Sequence, residues 1–290
     1  MERVVIDASL VRRLIASQFP QWSQLPVTSL GGWDNRNFRL GNHMVVRLPS
    51  ADEYSAQVQK EYRWLPKLAP FLPLEIPEPL ALGAPSTEYP WEWGAYRWIE
   101  GEPAAPDRIN DISDFAARLA GFLIALHRVD TAGGPTPGAH NFHRGGSLAV
   151  YDAETRHAIT VLEDDIDAAR AHRSWNAALG SKWATAPVWV HGDISPGNLL
   201  VVNGRLNSVI DFGLMAIGDP ACDLSIAWTL FRGEGRSIFR RTLALDEQTW
   251  ARGRAWTLWK ALIVAAKLVQ TNAVEMRQPL QLIEDVLAGR

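Results

Sequence analysis

Residues 188–213, which read VWVHGDISPGNLLVVNGRLNSVIDFG, are the most informative part of the chain. The Asn-Gly pair at 203–204 lies between runs of β-forming residues, a strong signal for a hairpin with a two-residue turn. Counting outward from the turn puts Asn198 and Asp211 at the open end of the hairpin, roughly opposite each other. Asp193 precedes Asn198 on a loop with Pro and Gly that can fold back over the same end. The stretch therefore predicts that three polar side chains converge.

These three side chains match the needs of phosphoryl transfer. A carboxylate and an amide at a strand end are oxygen ligands of the kind that Mg²⁺ prefers. A second carboxylate nearby can accept a proton from an attacking hydroxyl. Taken singly, Asp193 also fits a turn residue, Asn198 a strand cap and Asp211 the start of a loop. Their joint occurrence with His191 and the Phe-Gly pair at 212–213 favours the chemical interpretation.

The composition excludes several classes of protein. The chain has 290 residues, 47% of them hydrophobic, and its 29 Lys+Arg against 32 Asp+Glu give a net charge of −3. This excludes a disordered tail, a collagen-like repeat and a basic nucleic-acid arm. The 13 Trp are interpreted as core and cleft-wall residues rather than a base-stacking platform, because few basic residues interleave with them. No nucleic-acid partner is expected.

The location is inferred from cysteine use and hydropathy. Cys222 is the single cysteine and cannot form an internal disulfide. Glu2 and Asp7 stand where a signal peptide needs an apolar run. No uncharged apolar stretch approaches the roughly 18 residues of a membrane span. We therefore expect a cytoplasmic protein with no membrane partner.

The first hundred residues predict a small sheet that carries one helix. Gly31 and Gly32 open a polar turn over 33–37, and a second turn precedes the strand-like run 43–48. In that run Met44, Val46 and Leu48 share one face, and Val45 and Arg47 point to the other.

The helix is predicted from Ala51 to about Leu68, with Glu61 on its apolar stripe. Pro66 is expected to end or kink it near Leu65. A carboxylate that faces inward needs a cation, and Arg47 on the neighbouring strand is the candidate. The alternative is that Glu61 rotates out to water.

Beyond this helix, Pro-rich loops lead to a β-like run at 95–99. Residues 100–103 contain Gly and Pro and resemble a linker, so a domain boundary is predicted there. The chain after the boundary is predicted to be mostly helical. The expected helices are Ser113 to Val129 with Ser113 as its cap, about 153–178, and about 247–287. The Gly/Pro-rich segment 131–146 contains His140 and His143, but further zinc ligands at the right spacing are missing from the sequence.

The motif at 191–193, with Asn198 and 210–213, resembles the aminoglycoside phosphotransferase family, whose fold is similar to that of protein kinases. The resemblance extends over nearly the whole chain. It implies an α+β, protein-kinase-like fold with two lobes. The first lobe would be a small antiparallel sheet that carries one main helix and binds nucleotide. The second would be larger, mostly helical, and would contain the catalytic and substrate-binding residues. The expected boundaries are 1–97 for the first lobe, 98–101 for the hinge and 102–290 for the second lobe.

The resemblance also implies roles for individual residues. Asp193 would be the catalytic base, Asn198 and Asp211 the Mg²⁺ ligands, and Glu61 the helix carboxylate that pairs with the phosphate-binding cation. The hinge, whose backbone would hydrogen-bond the purine, would be Arg97, Trp98 and Ile99.

One position departs from the family's pattern, which usually places Lys on the third strand where this chain has Arg47. Arg47 is therefore the expected phosphate-contacting cation, with Lys60 as the fallback. A guanidinium can bind phosphate and Glu61 together but is bulkier than an ammonium. The turn 31–37, including Asn35, would take the position of the phosphate-covering loop.

The length of the segment after Asp211 indicates what kind of phosphoryl acceptor to expect. Asp219 is predicted to cap a helix that has Pro220 at its first position and runs to about Phe231. Asp223 resembles the family's buried aspartate that supports the catalytic loop. Since Asp219 follows so closely, there is no room for the long activation segment that a protein kinase uses to hold a peptide, and a small hydroxylated acceptor is expected.

The predicted function is transfer of the γ-phosphoryl of ATP or GTP, with Mg²⁺, to a hydroxyl of a small molecule such as an aminoglycoside. A cationic acceptor should meet carboxylates, although acidic runs on helices are usually solvated faces. The abundant Trp would equally suit a macrolide, and a small metabolite or a non-catalytic nucleotide-binding module are further alternatives. The oligomeric state stays open. The candidate carboxylates are Glu163, Asp164, Asp165, Asp167, Glu234, Asp246 and Glu247.

Overall fold

A computed structural model describes residues 4–269 and 278–289. The chain forms two compact units, the first comprising Met1–Pro70, Glu75–Glu100 and Ser208–Gly213, and the second comprising Phe71–Leu74, Gly101–Asn207 and Leu214–Arg290. The first unit holds an antiparallel sheet and the second is mostly helical, so the predicted α+β class is confirmed. Within the described ranges, every helix is too short or too polar to cross a membrane.

The first unit is built on a five-stranded sheet. Its strands are β1 (Val27–Gly31), β2 (Asn35–Leu40), β3 (Met44–Pro49), β4 (Pro79–Gly83) and β5 (Trp93–Arg97), in the order β1-β2-β3-β5-β4. Every neighbouring pair is antiparallel. The sequence predicts that side chains of β3 point alternately to two faces. This is confirmed for the apolar face, where Val46 and Leu48 are fully buried.

Two helices belong to this unit, where the sequence predicted one. Helix α1 (Ala8–Gln18) begins after Asp7, whose carboxylate accepts a hydrogen bond from Leu10 N at 2.8 Å. Its apolar residues Leu10, Val11, Leu14 and Ile15 recur at helical spacing and are buried. The cap and the spacing were both signals in the sequence.

Helix α2 (Asp52–Leu68) confirms the predicted helix, and Pro66 does not end it, since the helix continues to Leu68. A proline removes the hydrogen bond to the carbonyl four residues earlier, here that of Tyr62. Because Tyr62 lies on the exposed side of the last turns, water can take the place of that bond.

The remaining elements follow in chain order. The helices are α3 (Ile112–His127), α4 (Asp152–Val161), α5 (Ala168–Leu179), α6 (Ile226–Thr229), α7 (Gly233–Leu243), α8 (Glu247–Ala265) and α9 (Pro279–Ala288). The strands are β6 (Glu102–Pro103), β7 (Val188–Val190), β8 (Leu199–Val202), β9 (Arg205–Val209) and β10 (Ala216–Gly218).

The predicted hairpin is present as β8 and β9. Its turn residues Asn203 and Gly204 have φ of +50° and +78°, the signs that a two-residue type I′ turn requires. A Cβ on Gly204 would lie 2.1 Å from the side chain of Asn110, so this position also needs glycine for space.

Several helix boundaries differ from the sequence prediction. Helix α3 is capped by Asp111 rather than Ser113, because the Asp111 carboxylate accepts from the backbone N–H groups of Ser113 and Asp114. The helix expected over 153–178 is two helices, α4 and α5. The helix expected over 247–287 is α8 and α9, and its residues 270–277 lie outside the described part of the chain.

The helix expected after Asp219 is also divided, into a 3₁₀ turn at Pro220–Leu224 and the short α6. The interpretation of tryptophan as core is confirmed for most of the described side chains, although Trp33 is exposed. The buried ones are Trp64, Trp93, Trp175, Trp189, Trp228, Trp250, Trp256 and Trp259.

Candidate active site

In the first unit, Arg47 on β3 and Glu61 on α2 form a buried ion pair. Arg47 Nη1 lies 3.0 Å from Glu61 Oε1 and 3.2 Å from Oε2, and Glu61 is only 2% exposed. The inward-facing carboxylate predicted from the helical stripe is confirmed, and the alternative in which it turns to water is wrong. Removing either partner would leave an uncompensated buried charge.

A third group, Tyr96 on β5, completes the environment of Glu61 and was missed in the sequence. Its hydroxyl donates to Glu61 Oε2 at 2.8 Å. Gly94 makes room for the ring, since a Cβ there would lie 2.4 Å from a Tyr96 ring carbon. Burial raises the pKa of the Tyr96 hydroxyl and the nearby Glu61 carboxylate raises it further, so the hydroxyl stays a donor.

The other terminal nitrogen of Arg47 contacts Asp211. Arg47 Nη2 lies 2.6 Å from Asp211 Oδ1. Burial alone would lower the pKa of the Arg47 guanidinium, but Asp211 and Glu61 outweigh it and the pKa is raised. Burial raises the pKa of Glu61, while Arg47 acts in the opposite direction. Two carboxylates thus face one permanently charged guanidinium.

Lys60, the fallback cation, is buried on α2 next to Glu61. Burial lowers the pKa of its ammonium to about 8, and the Glu61 carboxylate offsets part of the effect. The Glu61 carboxylate is bonded to Arg47 and Tyr96. Arg47 is therefore the strand cation that pairs with the helix carboxylate, as the sequence predicted.

Gln57, one turn before Glu61 on α2, also lies against the Asp-Phe-Gly segment and was missed in the sequence. A Cβ on Gly213 would lie 2.4 Å from Gln57 Oε1 and 2.8 Å from its Cδ. Gln57 is 3% exposed, and its Nε2 is buried with no hydrogen-bond partner among the described residues. Only glycine at position 213 fits beside this side chain.

The segment predicted as the hinge is more constrained than expected. The backbone N–H of Arg97 donates to Glu78 O at 2.9 Å, and that of Trp98 donates to His43 O at 2.8 Å. These two N–H groups are therefore engaged within the protein rather than offered to a purine. The guanidinium carbon of Arg39 lies 3.5 Å from the centroid of the Trp98 ring, and Ile99 is buried.

Asn35 is placed at the start of β2 rather than inside a turn over 33–37. It pairs in register with Pro49, and its side chain is 6% exposed. The connection between β1 and β2 is therefore shorter than predicted. Gly31 and Gly32, with φ of +83° and +117°, provide its left-handed backbone.

In the second unit, Asp193 and Asn198 are in direct contact, which confirms that part of the predicted convergence. Asn198 Nδ2 donates to Asp193 O at 2.9 Å and to Asp193 Oδ2 at 2.7 Å. This fixes the amide orientation, with the nitrogen toward Asp193 and the carbonyl oxygen away from it. Asp211 belongs to the first unit, and its approach to this pair stays a prediction.

The loop that carries Asp193 is held by the buried carboxylate of Asp223, the contact that the family resemblance implied. Asp223 accepts from the backbone N–H of His191 at 2.8 Å and of Gly192 at 2.7 Å. Burial raises the pKa of Asp223, opposed by His191 and these two N–H groups. The backbone N–H of Asp193 donates to His191 Nδ1 at 3.1 Å.

Asp219 has a second partner that sequence reasoning missed. It caps the following turn by accepting from Ala221 N at 3.0 Å, as predicted. Its carboxylate also forms a buried ion pair with Arg252 on α8, with Arg252 Nε 2.6 Å from Asp219 Oδ2. The pair joins the segment after Asp211 to the long central helix of this unit.

Several of the acidic residues suggested for a cationic acceptor have structural contacts instead. Asp167 caps α5, Asp246 caps α8, and Glu247 pairs with Arg240. Asp164 and Asp165 are exposed and line a cavity of about 450 Å³ in the second unit, together with Asp285 and other residues. Three of the suggested carboxylates are thus engaged in helix caps or an ion pair.

Comparison with known proteins identifies what this chain is similar to. Residues 27–256 match the model of the phosphotransferase enzyme family. A curated aminoglycoside 3'-phosphotransferase from Escherichia coli is 31% identical over 143 residues, which are 46% of this chain and 51% of that protein. The match thus spans about half the length of that relative.

Two solved structures illustrate the likeness of the fold. The GDP complex of wild-type aminoglycoside 2'-phosphotransferase-IIIa superposes with a TM-score of 0.76 at 20% identity, over 98% of this chain and 99% of that chain. The apoenzyme of macrolide 2'-phosphotransferase MphH from Brachybacterium faecium gives a TM-score of 0.64 at 21% identity, over 95% of this chain and 98% of that chain. At these identities the likeness establishes the fold.

Proposed function

Since this chain belongs to the phosphotransferase enzyme family, we propose that it transfers the γ-phosphoryl group of ATP or GTP to a hydroxyl of a small molecule, an aminoglycoside-type compound being the first candidate. The family match confirms the resemblance drawn from residues 191–213. The reaction forms a bond between the acceptor oxygen and the γ-phosphorus and breaks the bond to the nucleoside diphosphate.

The observation that carries this proposal is the fixed carboxylate of Asp193. Asn198 holds its Oδ2, and Asp223 holds the backbone immediately before it. A carboxylate so restrained is suited to accept the proton of an acceptor hydroxyl as the oxygen attacks phosphorus. Asp193 is therefore proposed as the catalytic base, and these hydrogen bonds as what orients its carboxylate.

Asn198 and Asp211 are the proposed ligands of Mg²⁺. The donor set suits this ion, because Asn198 turns its amide nitrogen toward Asp193 and so leaves the carbonyl oxygen as its ligating end. When bound, Mg²⁺ would neutralise charge on the nucleotide phosphates. Asp211 is held by Arg47, which orients the carboxylate before any ion arrives.

Arg47 is the proposed phosphate contact, with Glu61 and Tyr96 fixing its guanidinium. For the purine, we propose carbonyl groups of Arg97, Trp98 and Ile99, because the N–H groups of Arg97 and Trp98 are engaged within the protein. Asn35 and the glycines before it are proposed to lie near the phosphates. Related structures contain GDP or ATP, which supports a purine nucleoside triphosphate as donor.

A macrolide is the second candidate acceptor, and one observation favours it. Asp167, Asp246 and Glu247 are engaged in helix caps or an ion pair, which removes part of the acidic set expected to meet a polycation.

Release of nucleoside diphosphate in a coupled assay tests the proposal. The purified chain would be given ATP or GTP, Mg²⁺ and, one at a time, aminoglycosides, macrolides and small hydroxylated metabolites. We expect acceptor-dependent release with one class of acceptor, with the phosphorylated product identified by mass. Exposed Asp107→Asn serves as a control and should keep full activity. Absence of release above the acceptor-free rate throughout the panel would contradict the proposal.

A further inference from the structure

The segment 138–146, here called the bracing loop, lies within the Gly/Pro-rich stretch that the proposed function leaves without a role. Its consecutive residues Phe142 and His143 have φ of +48° and +53°. Left-handed backbone is uncommon for side chains of this size, and two such residues in succession store strain that the surroundings must offset. The ring of His140 lies with Nε2 2.9 Å from Thr136 O, so it is engaged locally.

Asn141, in the middle of the bracing loop, is fully buried and uses both ends of its amide. Its Oδ1 accepts from Gly138 N at 2.9 Å. Its Nδ2 donates to Arg144 O at 2.9 Å and to Leu214 O at 3.2 Å. The first two bonds shape the loop itself. The third joins it to the residue that directly follows the Asp-Phe-Gly segment.

Leu214 in turn touches the loop that carries Asp193. A Cβ on Gly192 would lie 2.4 Å from Leu214 O, so the Leu214 carbonyl is packed against Gly192. Gly192 has φ of +86° and donates its N–H to Asp223. The residue before Asp193 is thus held from one side by Asp223 and from the other by Leu214, whose carbonyl Asn141 fixes.

The bracing loop is itself anchored to its neighbours, the end of β10 and the turn that contains Tyr151. Asp219 N donates to Gly145 O at 2.8 Å, and the Tyr151 hydroxyl donates to Phe142 O at 2.8 Å. A Cβ on Gly218 would lie 2.1 Å from Gly145 O, so β10 and the loop approach backbone to backbone. A rigidly docked loop can hold Leu214 in place, which a mobile one could not.

We propose that Asn141 is a positioning residue for Asp193, acting through Leu214 and Gly192. This inference rests on the proposed function, since it assigns a partner to the catalytic base. Asn141 does not touch the reacting atoms. It fixes the carbonyl against which the Asp193 loop is packed, and so sets the direction in which the carboxylate faces.

Asn141→Asp tests this role with little change of shape. The variant loses the two N–H donors and turns a carboxylate oxygen toward the carbonyls of Arg144 and Leu214. We expect kcat to fall about 10- to 100-fold, as a displaced catalytic group would produce, with KM for the nucleotide within about two-fold of wild type. Asn141→Ser, which removes most of the side chain without adding charge, serves as the second variant if Asn141→Asp does not fold.

Thr257→Val is the matched control. Thr257 is buried on α8 and its hydroxyl donates to Gly253 O at 3.1 Å, so the variant also loses a buried hydrogen bond of the second unit. It should lower the melting temperature and leave kcat unchanged. If Asn141 had a merely structural role, its variants would likewise have a lower melting temperature and an unchanged kcat.

Hydrogen exchange of the peptide that contains His191 and Gly192 gives a readout that does not depend on activity. Exchange there should be faster in the Asn141 variants and unchanged in Thr257→Val. If the wild-type chain phosphorylates none of the acceptors in the panel, the proposed function fails. Hydrogen exchange still tests whether the contact of Asn141 with Leu214 holds the loop that carries Asp193. Unchanged exchange, or faster exchange with kcat within about two-fold of wild type, would overturn the positioning role.

Discussion

Arg47 reaches Asp211 with the terminal nitrogen that Glu61 leaves unused, at 2.6 Å from Asp211 Oδ1. Nη1 lies against both oxygens of Glu61, so one planar guanidinium joins a carboxylate of helix α2 to one on the segment after β9. The fork geometry makes this possible, because two nitrogens at a fixed separation can meet two anions at once. The Lys usual at this position in the family has a single charged nitrogen.

Arg47→Ala should destabilise the protein by about 3–5 kcal/mol, because it leaves Glu61 buried without a partner. Arg47→Lys should cost less, because the charge remains. Unfolding by urea measures both. Arg13→Ala, which removes an exposed ion pair with Glu88, is the control and should change stability by less than about 1 kcal/mol. A loss for Arg47→Ala no larger than that of the control would show that the buried pair is not the stabilising contact.

Asp211→Asn should weaken nucleotide binding only when Mg²⁺ is present. The variant keeps the shape of the side chain but removes a charge that a divalent ion needs. We expect the Kd of ATP or GTP, measured by calorimetry with Mg²⁺, to rise about tenfold or more. With the metal chelated, wild type and variant should bind alike. Equal affinity in the presence of Mg²⁺ would remove Asp211 from the ligand set.

Lys60 should make stability depend on pH in the alkaline range. Burial lowers the pKa of its ammonium to about 8, whereas the unfolded chain titrates near the ordinary value of 10.5. Between these two pKa values the unfolded state binds more protons than the folded state, so the free energy of unfolding rises with pH. Below about pH 8 the full cost of burying the charged ammonium is present.

Lys60→Met should therefore be more stable than wild type at pH 7, by about 1–3 kcal/mol, and the difference should vanish near pH 10.5. Thermal unfolding across that range is the measurement. Lys67→Met, on the exposed side of the same helix, provides the comparison and should run parallel to wild type. A constant offset between Lys60→Met and wild type would exclude titration of Lys60 as the cause.

Gly213→Ala should be destabilising, and Gln57→Ala should rescue it in part. The added methyl group would lie 2.4 Å from Gln57 Oε1, and Gln57 is too deeply buried to move away freely. Shortening Gln57 makes room, so the two substitutions should be non-additive by about 1 kcal/mol or more in a double-mutant cycle. Additive losses would mean that the two residues do not compete for the same space.

Contacts set by local spacing were predictable from the sequence. The Asn203-Gly204 turn fixes the hairpin, because only particular residues adopt φ above zero in succession. The contact of Asp193 with Asn198 follows from a short loop that must fold back. The inward position of Glu61 follows from its place on the apolar stripe of α2, and a strand residue was the nearest source of a cation.

Contacts that depend on burial from several directions were not predictable in this way. Tyr96, Gln57 and Asn141 look like ordinary strand, helix and loop residues in the sequence, and their roles arise from what packs against them. Arg252 meets Asp219 across 33 positions of sequence, which no local periodicity indicates. The family likeness implies that the hinge backbone hydrogen-bonds a purine, but it does not indicate that two of the hinge N–H groups, those of Arg97 and Trp98, donate to Glu78 O and His43 O within the protein.

The most direct measurement is phosphoryl transfer by Asp193→Asn, with nucleotide affinity determined on the same sample. The amide keeps the size of the side chain but cannot take a proton. We expect kcat for the acceptor found in the panel to fall by about 10²–10⁴, while the Kd of the Mg²⁺-nucleotide stays within about two-fold of wild type. Transfer at the wild-type rate, or loss of nucleotide binding in a folded variant, would contradict Asp193 as the base.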